Sequence, residues 1–339
     1  MHRKESLKRG TGIVLFSGGL DSMLAARLLM EQDIDVIGFH CLLPFVAPDA
    51  DPTKLKPAKI AAGINLSLRF HRCGKEYLDI IRNPAHGYGK QANPCIDCHI
   101  YFIAKAAELM RELKADFVAT GEVVGQRPMS QMKHTMNHIE KASGLQGYLL
   151  RPLSAKLLKP TIPEQANIVN RDMLLALNGR SRKAQLNLAQ RYIITEYASP
   201  SGGCLFTDTF ISGRVFDLIE HHREIDTTDF YLLTIGRHFR ISEAAKLIVA
   251  RNEIENSELE KYMHTADYFF MPGFKAPSIF IKGTLADGEI EIAGSMISRY
   301  GKRHSDPGAI SVFQKGKFVN TIHPGASMTG DRLESMRIR

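Results

Sequence analysis

Two groups of residues in this 339-residue chain have types and spacings suited to chemistry. Ser17-Gly18-Gly19-Leu20-Asp21-Ser22 joins an apolar run, residues 12–16, to a stretch in which Met23, Leu24, Ala26, Leu28 and Leu29 recur at helical spacing. A glycine turn between a buried strand and a helix presents backbone N–H groups and the positive end of the helix dipole, and phosphate suits that place. Gly18 and Gly19 let the backbone approach an anion, Ser17 and Ser22 offer hydroxyl donors, and Asp21 can hold Mg2+ or the loop itself. No Gly-Lys-Ser/Thr ending follows, which argues against a Walker loop. The second group is Asn93-Pro94-Cys95-Ile96-Asp97-Cys98, with Cys204 far downstream in Ser201-Gly202-Gly203-Cys204. A Cys-x-x-Cys turn at a helix start offers two thiolates to one metal. On spacing alone it is a zinc site, a redox pair or part of an iron–sulfur site, zinc being the ordinary occupant.

These residues need a scaffold. A second apolar run at 36–39 completes a βαβ unit, which implies a parallel sheet. Further strands are expected at 66–70 and 116–121, with helices near Ala58 and over 76–82 and 100–113. The alternation predicts an α/β fold, a doubly wound parallel sheet over residues 10–155. Residues 156–205 read as a small helical segment, dense in helix formers over 160–198, that ends in the third cysteine. Residues 206–339 read as a separate α+β domain, with strands expected at 230–235, 246–249, 278–282, 289–293 and 309–313.

The net charge of +8 is concentrated. Residues 127–191 hold 11 Lys+Arg against 3 Asp+Glu, whereas residues 205–339 hold 17 against 18. Such a local excess suits a polyanion such as RNA; the plainer reading is a solvated helical face. Five cysteines, an odd number, argue against a disulfide framework, and Cys41 and Cys73 read as core thiols. No apolar run is long enough to span a membrane, and the chain reads as cytoplasmic.

The hexapeptide 17–22 resembles the PP-loop of the ATP pyrophosphatases, a HUP-like fold whose members cleave ATP between the α- and β-phosphates and place AMP on a carbonyl oxygen. Asn93-Pro94-Cys95-x-x-Cys98 with Gly-Gly-Cys204 resembles the PP-loop tRNA thiolases. Ala119-Thr120-Gly121-Glu122, Gly125-Gln126, Ser130-Gln131 and Arg151-Pro152-Leu153 resemble elements of the 4-thiouridine synthases. The resemblance implies ATP and Mg2+ at Ser17, Gly18, Gly19, Asp21 and Ser22, and a catalytic role for Asp21, Cys95, Cys98 and Cys204. In cluster-free 2-thiouridine enzymes of this kind an Asp stands where Cys95 stands here. A Cys at that position implies a 4Fe-4S cluster on Cys95, Cys98 and Cys204, with zinc as the rival occupant and a metal-free persulfide as the rival mechanism. It further implies tRNA as substrate, sulfide or a desulfurase as sulfur donor, and 4-thiouridine or 2-thiouridine as product. A homodimer is left open.

Gly236-Arg237-His238-Phe239-Arg240, residues 246–249 and residues 251–256 resemble the RNA-binding domain of the NFACT proteins, which implies phosphate contacts from arginine and base stacking by His238 and Phe239. Asp97 reads as an exposed turn residue, and His134, His138, His221 and His222 as surface or RNA-facing. Two rival classes remain at this level: a small-molecule synthetase with structural zinc, and a non-catalytic RNA-binding factor.

Overall fold

A Cβ at Gly12 would stand 2.6 Å from the ring of Phe117, so the absence of a side chain there lets two strands lie side by side. These are β1 (Thr11–Leu15) and β4 (Phe117–Ala119), the middle of a five-stranded sheet ordered β3-β2-β1-β4-β5. β2 is Asp35–Leu42, β3 Ser67–Arg72 and β5 Leu149–Leu150, and every pairing is parallel. The computed structural model describes residues 10–197, 203–301 and 308–339 and divides into two compact units, Met1–Cys204 and Leu205–Arg339.

Parallel strands need crossover connections, and α1 (Leu20–Met30), α2 (Lys56–Gly63), α3 (Lys75–Arg82), α4 (Cys95–Glu112) and α5 (Lys133–Ala142) fall in them. Alternation along β1 sends Ile13 and Val14 to opposite faces of the sheet. Val14 joins Leu20, Leu24 and Leu28 of α1, whereas Ile13 joins Ile103, Ala106 and Ala107 of α4 and Ile139 of α5. The expected doubly wound α/β fold is present.

Residues 160–198 are far less helical than their composition suggests. Only α6 (Ile162–Gln165) and α7 (Lys183–Arg191) are α-helical among their described residues. Pro160, Pro163 and the Asn170 turn break the run, and a polar stretch forms a helix only where packing supports it. α7 obtains that support through Ala189, buried in the same core as α1.

The carboxy-terminal unit holds a six-stranded antiparallel sheet ordered β11-β10-β8-β9-β7-β6. Along the chain its elements are α8 (Thr209–His221), α9 (Thr227–Leu232), β6 (Arg237–Ser242), β7 (Ala245–Val249), α10 (Glu253–Lys261), β8 (Tyr268–Pro272), β9 (Ile279–Gly283), α11 (Glu289–Tyr300), β10 (Ile310–Gln314), β11 (Lys317–Ile322) and α12 (Gly330–Ser335). Two expected strands are helices instead. Residues 230–235 fall on and after α9, which Asp226 and Asp229 start with a reciprocal capping box, and residues 289–293 open α11, whose Ala293, Met296 and Ile297 are buried at helical spacing. Short apolar runs do not separate strand from helix by themselves.

His238 and Phe239 are 1% and 0% exposed, so neither is available to stack on a base. The His238 ring is held to the Ile235 carbonyl at 2.8 Å, and burial lowers its basicity. Arg240 is bidentate to Asp217 and Arg251 pairs with Glu255, which leaves Arg237 of that motif stacked over the Tyr300 ring at 4.6 Å.

Candidate active site

The turn between β1 and α1 forms as its glycines require. Gly18 sits at φ +75°, a conformation that penalises any side chain. Gly19 starts α1 in extended backbone with no side-chain cap. Gly19 N–H donates to Ser17 Oγ at 3.2 Å, and Ser22 Oγ donates back to the Gly19 carbonyl at 2.8 Å. The Ser22 hydroxyl thus closes the turn, and Ser17 is the exposed hydroxyl beside it. Asp21 Oδ2 accepts from Gln126 Nε2 at 2.8 Å, so the Gly-Gln element reaches the loop across 105 residues of sequence.

The thiol helix starts at Pro94. Cys98 N–H donates to the Pro94 carbonyl at 2.9 Å, which turns Cys95 and Cys98 onto successive levels of the first turn of α4. Cys95 Sγ accepts from Asn93 Nδ2 at 3.1 Å, and Cys98 Sγ is hydrogen-bonded to the buried Tyr77 hydroxyl at 3.0 Å. Burial pushes the Cys98 thiol up, opposed by the Tyr77 hydroxyl and reinforced by negative charge on Cys204 and Cys95. Cys204 charge also acts on Tyr77. Cys204 itself is exposed. Ser201 and Gly202, which precede it in the motif, lie outside the described residues.

Three soft thiols suit an iron–sulfur cluster or zinc in donor chemistry. Among the described residues, however, no three His, Cys, Asp or Glu side chains stand in one metal-holding group.

Asp97 is 8% exposed, which corrects the expectation of an exposed turn residue. Both its oxygens are used by His86: Oδ2 accepts from the backbone N–H at 3.0 Å and Oδ1 from ring Nδ1 at 2.9 Å. The other nitrogen of His86 lies 2.7 Å from Nε2 of His138, which is exposed and meets the 84–94 connection. Asp97 clamps the 84–94 connection over the cysteine turn.

The two groups of residues meet through Gly121 and Glu122. A Cβ on Gly121 would stand 2.5 Å from the Asp21 carbonyl carbon and 2.6 Å from Ser22 N, all backbone atoms that cannot swing away. Gly121→Ala should therefore force β4 from the start of α1 and destabilise the unit by about 1–3 kcal/mol; urea unfolding of the variant checks this. The next residue, Glu122, is 5% exposed and accepts from His99 Nδ1 at 2.9 Å, Thr120 Oγ1 at 2.9 Å and Arg151 Nε at 3.1 Å. Burial opposes its ionisation, but Arg151 and His99 outweigh burial and hold the carboxyl at about 2. His99 directly follows Cys98, so one buried carboxylate ties the thiol helix to the strand end that abuts the glycine loop. His99, Tyr77 and His86 were not singled out from sequence; nothing in their spacing marks them, and only the fold brings them to the cysteines.

Residues 11–167 match the family model described as tRNA methyl transferase HUP domain. Residues 236–336 match the one described as NFACT protein RNA binding domain. The first of these matches lies within the amino-terminal unit and the second within the carboxy-terminal one. Among curated relatives, the tRNA-specific 2-thiouridylase MnmA of Leptospira interrogans is 31% identical over 172 residues, 46% of this chain and 45% of the relative. A probable tRNA sulfurtransferase of Thermococcus kodakarensis is 28% identical over 153 residues, covering 43% of this chain and 37% of that one. The chain thus spans less than half the length of these relatives. A solved U34-tRNA thiolase, NcsA from Methanococcus maripaludis, aligns at 18% identity over 68% of this chain and 72% of that chain, with a TM-score of 0.35, too loose a likeness to build on.

The basic segment is only partly free. Arg151 is 3% exposed and bound to Glu122 and Glu140, and Arg171 is paired with Glu164. Most of the segment's other basic residues are exposed, Arg127, Lys133, Lys141, Lys159, Arg180 and Lys183 among them, and they carry the part of the excess that faces solvent.

Proposed function

We propose that the protein is an ATP-dependent tRNA uridine thiolase. The reading is supported above all by the Glu122 bridge, which fastens a phosphate-type glycine loop and a Cys-x-x-Cys helix to one strand end. The 2-thiouridylase and sulfurtransferase names of the relatives agree with it. In the reaction, a uridine carbonyl oxygen attacks the α-phosphorus of ATP and pyrophosphate leaves. Sulfide then adds to the activated carbon, the C–O bond breaks, and AMP leaves with the former carbonyl oxygen, so that C=S replaces C=O.

The chain's own residues divide this work. The Ser17–Ser22 loop binds phosphate, with Asp21, held by Gln126, placed to take Mg2+. Cys95, Cys98 and Cys204 would hold a 4Fe-4S cluster. Such a cluster on three thiols supplies, when bound, an open iron position at which a sulfur source is activated. Tyr77 orients Cys98, Asn93 orients Cys95, and Glu122 fixes His99, the residue that follows Cys98. The exposed lysines and the NFACT-type domain are the surfaces for tRNA, and binding through phosphates should weaken steeply with salt.

The test is one preparation and two measurements. Protein purified without oxygen should contain iron and acid-labile sulfide, and tRNA incubated with it, Mg-ATP and sulfide should gain a thiolated uridine by nucleoside mass analysis. Zinc alone with no thiolated nucleoside would move the reading to a synthetase acting on a small molecule.

A further inference from the structure

Beyond the residue-167 limit of the HUP match, the chain returns to the glycine loop. Leu175 N–H donates to the Pro152 carbonyl at 3.0 Å, Leu177 N–H to the Leu153 carbonyl at 2.8 Å, and Gly179 N–H to the Val124 carbonyl at 2.7 Å. Asn178 forms a parallel bridge with Val124. This short backbone pairing delivers the start of α7 to the Gly125-Gln126 turn. There Gln185, 1% exposed, donates from Nε2 to Gln126 Oε1 at 3.0 Å, and Gln126 in turn holds Asp21. Arg182, the residue before α7, brings its guanidinium to 3.9 Å from Asp21 Oδ1.

Four buried polar atoms around this point have no hydrogen-bond partner among the described residues: Asp21 Oδ1, Arg182 Nε, Gln185 Oε1 and Gln131 Oε1. Buried polar atoms are nearly always partnered, and leaving one unpaired costs about 1–3 kcal/mol. The set contains a carboxylate oxygen and two amide oxygens, which suit a hydrated divalent cation, beside a guanidinium N–H, which suits phosphate. That is the complement of a metal-bound polyphosphate, assembled from two segments far apart in sequence.

We propose that α7 completes the nucleotide site, with Arg182 binding the polyphosphate of Mg-ATP and Gln185 acting through Gln126 as the positioning residue for Asp21. The inference rests on the ATP reading of the glycine loop and extends it to residues outside that loop. Arg182 answers phosphate charge where the loop itself carries no lysine or arginine. Gln185 fixes Gln126 so that Asp21 keeps one oxygen turned toward the metal.

Equilibrium titration of the full chain with Mg-ATP, with ATP at varied Mg2+, and with adenosine tests both roles without any turnover. Loss of a charge-assisted hydrogen bond predicts that Arg182→Ala weakens Mg-ATP binding by about tenfold or more. Adenosine binding should be unchanged, which a general loss of structure would not allow, and Arg182→Lys should recover part of the loss. Gln185→Leu should raise the Mg2+ concentration needed for half-maximal ATP binding, again with adenosine unaffected. Native protein that binds Mg-ATP while Arg182→Ala binds it within twofold overturns the inference and leaves the thiolase reading standing. Native protein that binds no Mg-ATP removes both.

Discussion

A Cys95→Ser chain should lose its iron and at least about a hundredfold of its thiolation rate, since replacing even an outer partner of a metal ligand costs roughly 10–100-fold. The choice of residue matters more than the size of the effect. Cys98 and Cys204 are required by either route to a thiolated base, as cluster ligands or as the pair that takes sulfane sulfur from a desulfurase as a persulfide and releases it to the base by forming a disulfide. Cys95 is required only by the cluster. Its replacement is also milder than that of Cys98: Cys95 is half-buried, and a serine hydroxyl can accept the Asn93 amide hydrogen bond that the sulfur accepts now. Cys98 sits against the Tyr77 hydroxyl in the core, where a serine would change packing as well as chemistry. Iron content, visible absorption and nucleoside mass analysis of the three single variants separate the routes. With a desulfurase as sulfur donor, thiolation that survives in Cys95→Ser and vanishes in Cys98→Ser and Cys204→Ser would exclude the cluster and establish the persulfide.

The parallel sheet was legible because its strands are buried on both faces and read as uninterrupted apolar runs between glycine and serine. The glycine loop was legible for a related reason: a positive φ at Gly18 is a backbone demand that sequence states directly. The carboxy-terminal unit was harder. Residues 289–293 are apolar enough for a strand, and only the burial of Ala293, Met296 and Ile297 along one helical stripe decides for a helix. The connections around the site carried least signal of all. Asp97 looks like any turn aspartate until the 84–94 connection folds His86 over it, and Arg151 counts as free positive charge until Glu122 and Glu140 close on it. Charge tallies along a chain say nothing about which charges find partners 11 or 29 residues away, and here that difference separates a solvent-facing lysine from an arginine locked in the core.

Glu122 is where that locked charge has its largest consequence. Its carboxyl is held at about 2, against an ordinary value near 4.5, although burial alone would raise it. The ionised form is thus favoured by the fold, and the stability it contributes is fully present above about pH 4.5 and lost as pH falls toward 2. The shift corresponds to something on the order of 3 kcal/mol. Glu122→Gln removes the charge at every pH. It leaves the Arg151 guanidinium, with 2% of its side chain exposed, facing Glu140 as its one remaining ion-pair partner among the described residues, and breaking a buried pair from one side costs about 3–5 kcal/mol. The amino-terminal unit of the variant should therefore unfold at markedly lower urea than the native chain at pH 7, and the difference should shrink as both are taken from pH 4.5 downward. A constant difference across that range would mean that the loss is one of packing, not of the ion pair. The same substitution loosens His99 beside Cys98 and the Gly121 contact with Asp21, so activity should fall even in the folded fraction, where a purely structural bridge would leave turnover per folded molecule unchanged.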